Sequence, residues 1–209
     1  IESMNTSLIS DFSTIVNNGD KVIFYSKNPK IIDSFYNEIL LINENVKWGT
    51  TVSKSYIPEN YDSFFEKNLS LVDWLRQWSK NDEEREEVYI RGFLGKMLFS
   101  GEEALKSCTV LSGGEKVRCM LSKMMMEKSN FLILNEPTNH LDLESITALN
   151  NSLINFKGNI FLTTQDFQFA NSVGNRVIEI GTKGYIDKLM NFGEYLNCLL
   201  YTSDAADEV

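Results

Sequence analysis

Two stretches decide how this chain reads: Leu111-Ser112-Gly113-Gly114-Glu115-Lys116 and, further along, Phe131-Leu132-Ile133-Leu134-Asn135-Glu136-Pro137-Thr138-Asn139-His140-Leu141-Asp142. In the first, Ser112 and two glycines open a predicted helix that runs to about Glu127, with Val117, Met120, Leu121, Met124 and Met125 on its apolar face. N–H groups at a helix start lack intrahelical partners and lie at the positive end of the dipole. They form a ready cradle for phosphate, and glycines let the anion approach closely. In the second, Phe131 to Leu134 is a continuous apolar run, the mark of a strand buried on both faces. Glu136 follows the end of that strand, where α/β sheets place ligands, and could orient or deprotonate an attacking water. Either stretch alone is a weak sign, and a Ser-Gly-Gly turn is more often only a turn. At this spacing the two together are specific.

Working outward, Lys21 to Tyr25 reads as a buried strand after the Asn17-Asn18-Gly19-Asp20 turn, and a β-like stretch opens the chain. Ser26 to Lys30 reads as a loop containing Pro29, followed by a helix over Ile31 to Leu41. Val46 to Ile57 reads as a strand pair or a strand and loop. Residues 69–108 differ in kind. Leu71, Trp74, Leu75 and Trp78 share one helical face, and Ile90, Phe93, Leu94 and Met97 repeat the spacing. The charged run Asn81 to Glu87 between them reads as a solvated helix start. This segment is a helical insert. Downstream come a helix marked by Ile146, Leu149 and Leu153, strands over Asn159–Thr163 and Arg176–Ile180, and a short helix over Phe167–Val173. Strands alternating with helices predict an α/β fold with a mostly parallel sheet.

The 209 residues, 43% hydrophobic, suffice for one domain with a real core. No apolar run approaches the roughly 18 residues of a membrane span, and no secretory leader opens the chain. Cys108, Cys119 and Cys198 have no metal-site spacing and read as buried or free thiols of a reducing cytoplasm. The net charge of −9 disfavours a whole-domain electrostatic grip on nucleic acid, though a local basic patch stays open. The tail Cys198-Leu-Leu-Tyr-Thr-Ser-Asp-Ala-Ala-Asp-Glu208 resembles the translated read-through of a sequencing adapter. On that reading residues 198–209 are non-native, and discounting Asp204, Asp207 and Glu208 brings the charge to −6.

The paired stretches resemble the signature sequence and the Walker B–D-loop region of ATP-binding cassette domains. Asn139-His140 within Glu-Pro-Thr-Asn-His-Leu-Asp points to the ABC-F family rather than to membrane transporters. Trp74-Leu-Arg-Gln-Trp78, Gly95-Lys-Met-Leu-Phe-Ser100 and Leu143-Glu-Ser-Ile146 are most similar to the second cassette of a YbiT-type member. The resemblance covers residues 6 to 197. It implies a single cassette over residues 1–197, with a P-loop NTPase-like core, a small antiparallel β part and the 69–108 insert as helical subdomain. It further implies a soluble cytoplasmic ATPase acting on the ribosome and using ATP with Mg²⁺. The implied partner is a second cassette upstream in the same full-length chain. Glu136 is then the catalytic base. Ser112, Gly113, Gly114 and Glu115 are signature residues acting in trans, with Asn139 and Asp142 in the D-loop.

One part of the pattern fails. The family's first strand leads into a phosphate loop, G-x-x-x-x-G-K-[ST], whose N–H groups and Lys hold phosphate and whose hydroxyl holds Mg²⁺. Here that place reads Ser26-Lys27-Asn28-Pro29-Lys30-Ile31-Ile32-Asp33. Both glycines are absent, Ile32 replaces the lysine, Asp33 replaces the hydroxyl, and Pro29 has no N–H. Asn28 alone keeps a frequent family residue. Asn135 replaces the Walker B aspartate, Glu59 the usual Gln, and Gln165 the histidine that faces the γ-phosphate. A unit charge at about 4 Å is worth roughly 4 kcal/mol at an effective dielectric near 20, or about three decades of affinity. Lys27 and Lys30 are near but not at the helix-entry position. The expectation is that this cassette's own phosphate site is impaired, while its signature turn completes the partner's site, so that nucleotide and Mg²⁺ are held mainly there. No metal site of its own is expected. Two further readings stay open: a non-catalytic dimerisation or ribosome-docking module, and the ATPase subunit of a membrane transporter, against which Asn139-His140 argues.

Overall fold

The computed structural model describes residues 12–40, 46–139 and 141–204, with side chains to Leu199. In chain order the elements are β1 (Lys21–Tyr25), α1 (Pro29–Leu40), β2 (Lys54–Ile57), α2 (Leu71–Arg76), α3 (Asp82–Arg85), α4 (Glu87–Lys96), α5 (Gly113–Glu127), β3 (Phe131–Asn135), α6 (Leu143–Asn155), β4 (Asn159–Thr163), α7 (Phe167–Val173), β5 (Arg176–Gly181), β6 (Gly184–Lys188) and α8 (Phe192–Asp204). They fall into two compact units, residues 1–52 with 156–209 and residues 53–155.

In the first unit β1 lies between β4 and β5, parallel to both, and β6 adds antiparallel to β5. Val22, Ile23 and Phe24 of β1 are buried, as the apolar run requires of a central strand. Phe24, Phe35 and Phe161 form the heart of the core, with Phe24 4.4 Å from Phe35 and 4.7 Å from Phe161 between ring centroids. Gly174 is required where it stands, because a Cβ there would lie 2.3 Å from Cγ1 of Ile23. Arg176, buried at the start of β5, donates to Asp187 at 2.8 and 2.6 Å, to Asp20 at 2.6 Å and to the carbonyl of Ile15 at 2.9 Å. A buried guanidinium is tolerated only when its donors are met in this way. It ties the turn before β1 to both β5 and β6.

In the second unit β2 and β3 pair in parallel, from Lys54 opposite Phe131 to Ile57 opposite Leu134, and every residue of β3 is buried. Trp74 of α2 is fully buried, stacks on Phe65 at 4.8 Å, and donates its indole N–H to the carbonyl of Phe64 at 2.7 Å. Trp74 and Trp78 thus serve packing, with Trp78 tilted against Trp74 at 4.6 Å. The ends of the helical stretch are laced together. Ser70 and Ser107 form an antiparallel bridge, Cys108 N donates to Leu69 O at 2.9 Å, and Leu71 N donates to Lys106 O at 3.1 Å.

Several local expectations change. α1 begins at Pro29 rather than Ile31, since proline at the first helical position gives up an N–H that has no helical partner anyway. Of the two readings of Val46–Ile57, the strand with a loop is the one found, with loop over residues 46–53 leading into β2. On α5 Met126 is buried and Met125 is half-exposed, the reverse of the expected facing. The charged run 81–87 is not wholly solvated: Glu84 is 6% exposed and pairs with Lys128 at 3.1 Å. Strand β6 and helix α8, which continues through residues 198–204, have no counterpart in the sequence reading. The β-like opening stretch lies mostly outside the described residues. Cys108 and Cys119 are buried free thiols and Cys198 is exposed, and burial pushes the Cys119 thiol well above its ordinary range.

Candidate functional site

The second unit gathers the signature turn, the D-loop and the Glu59 loop. Ser112 caps α5 through a reciprocal pair: its hydroxyl accepts from the Glu115 amide at 3.3 Å, and its own amide donates to Glu115 Oε2 at 2.8 Å. This capping box fixes the turn against fraying. The Glu115 carboxylate also accepts from Lys106 Nζ at 2.7 Å. Burial pushes the Glu115 carboxyl upward, but the hydrogen bonds from Lys106 and Ser112 outweigh it and hold it below its ordinary value. With Ser112 N and Glu115 N engaged, the amides of Gly113 and Gly114 make no hydrogen bond among the described residues. They head a 15-residue helix.

A cleft of about 450 Å³ opens beside the turn, lined by Glu59, Tyr61, Asp62, Gly113, Lys116 and Asn139 among others. It brings together three expected site residues from three separate segments: Glu59, Gly113 and Asn139. Lys116, one turn into α5, pairs with Asp62 at 2.7 Å. Neither residue was singled out as a site residue from the sequence. Lys116 adjoins the signature, but nothing in the pattern marks Asp62.

Asn135, the last residue of β3, is buried and Glu136, just beyond it, is half-exposed. Glu136 has φ +49°, a left-handed conformation that costs a non-glycine residue of order 1 kcal/mol. Its carbonyl accepts from Asn139 N at 3.1 Å, closing the turn that carries the D-loop. Asp142 ends that loop by capping α6, accepting from Ser145 N at 2.7 Å. That backbone hydrogen bond leads the causes that hold the Asp142 carboxyl below its ordinary value. His140 lies outside the described residues.

In the first unit, the residues at the phosphate-loop position are bonded among themselves. Asn28 N donates to Ser26 Oγ at 3.2 Å, Lys30 N to Asn28 Oδ1 at 3.2 Å, and Ile31 N to Asn28 O at 3.0 Å. Ile32, at the lysine position, is buried at 8% exposure. Lys27, Asn28, Lys30 and Asp33 are exposed. Gln165 is exposed ahead of Asp166, which caps α7 by accepting from Phe169 N at 3.0 Å. Among the described residues no group of three or more His, Cys, Asp or Glu is arranged to hold a metal ion, and no helix is long and apolar enough to cross a membrane.

A sheet of mostly parallel strands, with a capped Ser-Gly-Gly helix start and an acidic residue after a buried strand, defines an ATP-binding cassette domain. The ABC transporter family profile matches residues 18–139, and the chain belongs to that family. It is 50% identical over 194 residues to YkpA of Bacillus subtilis (strain 168), an uncharacterized ABC transporter ATP-binding protein, matching 90% of this chain and 36% of that protein. It is 32% identical over 196 residues to the ATP-binding protein YbiT of Escherichia coli O157:H7, matching 92% of this chain and 37% of that one. Relatives of ABC-F type extend to ATP-binding cassette sub-family F member 3 of Pongo abelii, 40% identical over 54% of this chain and 16% of that one. The chain thus spans about a third of the length of the first two relatives. In fold it is similar to the ATP-binding cassette MJ0796, solved as a dimer in a post-hydrolysis state with ADP and phosphate, at TM-score 0.67 and 13% identity over 88% of this chain and 90% of that one.

Proposed function

We propose that residues 1–197 are one nucleotide-binding cassette of an ABC-F ATPase that acts on the ribosome in the cytoplasm. In this reading the cassette's own phosphate site is impaired, and its signature turn closes over nucleotide held by a second cassette of the same full-length chain. The observation that carries the reading is the contrast between two helix starts. At the phosphate-loop position the amides of Asn28, Lys30 and Ile31 are used within the loop, and Pro29 has none. At the signature turn the amides of Gly113 and Gly114 are unspent among the described residues. Residues 26–33 therefore do not fit a nucleotide's phosphates or their Mg²⁺: a buried Ile32 supplies no cation, and Asp33 adds an anion where a hydroxyl is needed.

The chain's remaining residues take stated roles. Gly113 and Gly114 donate backbone N–H groups toward phosphate oxygens, at the positive end of the α5 dipole. Ser112 and Glu115 hold that turn in shape. Asn139 and Asp142 shape the D-loop at the cleft, and the left-handed Glu136 keeps a carboxylate at the end of β3 for orienting or deprotonating water. Residues 198–209 are outside the cassette in this reading, as adapter-derived sequence.

Turnover of ATP by the full-length protein carrying Ser112→Arg tests the trans role. A fall of about two orders of magnitude is expected from filling a phosphate-binding turn with a bulky side chain, and unchanged turnover would remove the role. A second reading, a docking module without nucleotide chemistry, is favoured by the self-bonded Ser26–Ile31 loop. It predicts unchanged turnover in Ser112→Arg together with retained capture of ribosomes.

A further inference from the structure

Two ion pairs flank the signature turn, and they are built differently. Glu115 is 17% exposed, is held by Lys106, and is also bound to the Ser112 amide. Asp62, the partner of Lys116, is 72% exposed, whereas Lys116 itself is 21% exposed. The lysine stem therefore lies along the protein, with its ammonium 5.9 Å from the Phe65 ring centroid, while its acidic partner stands in water. An ion pair of that kind is weak and easily exchanged. Lys116 and Asp62 line the same 450 Å³ cleft as Gly113 and Asn139, and that volume lies within the range of roughly 300–1,000 Å³ typical of small-molecule sites.

We propose that Lys116 exchanges Asp62 for the phosphate chain of the nucleotide presented to the signature turn, so that Asp62 is a competing anion that sets how tightly the turn closes. The inference rests on the trans-acting reading of that turn given above. A polyphosphate carries more negative charge than a single carboxylate, and a lysine ammonium, with three rotatable donors, can change partner without moving its helix. Glu59 and Asp62 also place two carboxylates on the cleft, against which Lys116 is the one cation among the described lining residues. Losing that lysine would leave the phosphates facing uncompensated negative charge.

The test is steady-state ATP turnover by the full-length protein with Asp62→Asn, Lys116→Gln and both together. Asp62→Asn should lower KM for MgATP and Lys116→Gln should raise it, each by up to about fivefold, the equilibrium equivalent of an exposed ion pair. The kcat values should move less, Lys116→Arg should recover part of the loss, and Asp62→Asn should have no effect in the Lys116→Gln background. A purely structural ion pair would not lower KM on removal of the acid. A raised or unchanged KM in Asp62→Asn, or a lowered one that persists without Lys116, overturns the proposal. If Lys116→Gln does not fold, Asp62→Asn alone decides. Ser112→Arg, measured alongside, separates the two claims. If it abolishes turnover while Asp62→Asn leaves KM unchanged, only the lysine exchange falls. If it has no effect, the trans reading falls and the exchange with it.

Discussion

The starts of α1 and α5 are capped alike but leave different backbone N–H groups available among the described residues. Each begins with a side-chain oxygen capping backbone N–H groups: Asn28 Oδ1 on Lys30, and Ser112 Oγ on Glu115. At α1 the following residue is proline and the next apolar side chains, Ile31 and Ile32, turn into the core. At α5 the following residues are glycines and the flanking charges are Glu115 and Lys116. On the proposed reading of the two turns, a helix dipole alone does not make a phosphate site. What matters is whether the amides at its positive end are left available and whether anything larger than hydrogen stands in front of them.

The comparison can be broken most sharply at Ile31, where a phosphate loop would have glycine. Here it is 1% exposed core, and Ile31→Ala should cost about 2–5 kcal/mol of unfolding free energy in denaturant titration. A loss below about 1 kcal/mol would mean that the first turn of α1 is not committed to packing. Next come the caps. Asn28→Ala and Ser112→Ala should each cost about 1 kcal/mol of stability. Only the second should reduce ATP turnover in the full-length protein, and equal effects on turnover would erase the distinction drawn between the two turns.

The acid response of the signature turn is the third test. The folded-state Glu115 carboxyl lies below its ordinary value of 4.5, so its contribution is fully present above that pH and is lost as the pH falls through the depressed folded value. Unfolding free energy should therefore decline below about pH 4.5 by less in Glu115→Gln than in the parent. An identical pH profile would show that the capping box does not depend on charge. The smallest effect is expected at Lys106, whose pair with Glu115 is partly exposed. Lys106→Ala should cost no more than about 1 kcal/mol in the same titration.

Much of the fold was legible because its central strands carry unambiguous patterns. Phe131-Leu-Ile-Leu134 and Val22-Ile-Phe24 have no polar face, so they had to be buried strands, and the Ser-Gly-Gly-Glu capping box announced α5. The rest was set by tertiary context. β6 alternates too weakly, with the adjacent Tyr185 and Ile186 both exposed, to be seen without β5 beside it. Met125 and Met126 are adjacent and chemically identical, so only packing decides which turns inward. Glu84 is indistinguishable from its acidic neighbours until Lys128 arrives across the fold. Motif position picked out Glu59, Gly113 and Asn139 as candidates, but not their gathering at one cleft. The cleft joins Glu59, Gly113 and Asn139 with Lys116 and Asp62, and an exposed aspartate opening a short 3-10 turn carries no sequence signal.

The central claim is that the α1 start does not hold nucleotide. It is tested most directly by titrating a fluorescent ATP analogue, with Mg²⁺, into this 209-residue chain without a partner cassette. No saturable binding is expected up to millimolar concentration, because the amides of Asn28, Lys30 and Ile31 are already bonded and Ile32 offers no charge. Micromolar binding, lost on replacing Lys27 or Lys30, would contradict it and make this a working ATP site.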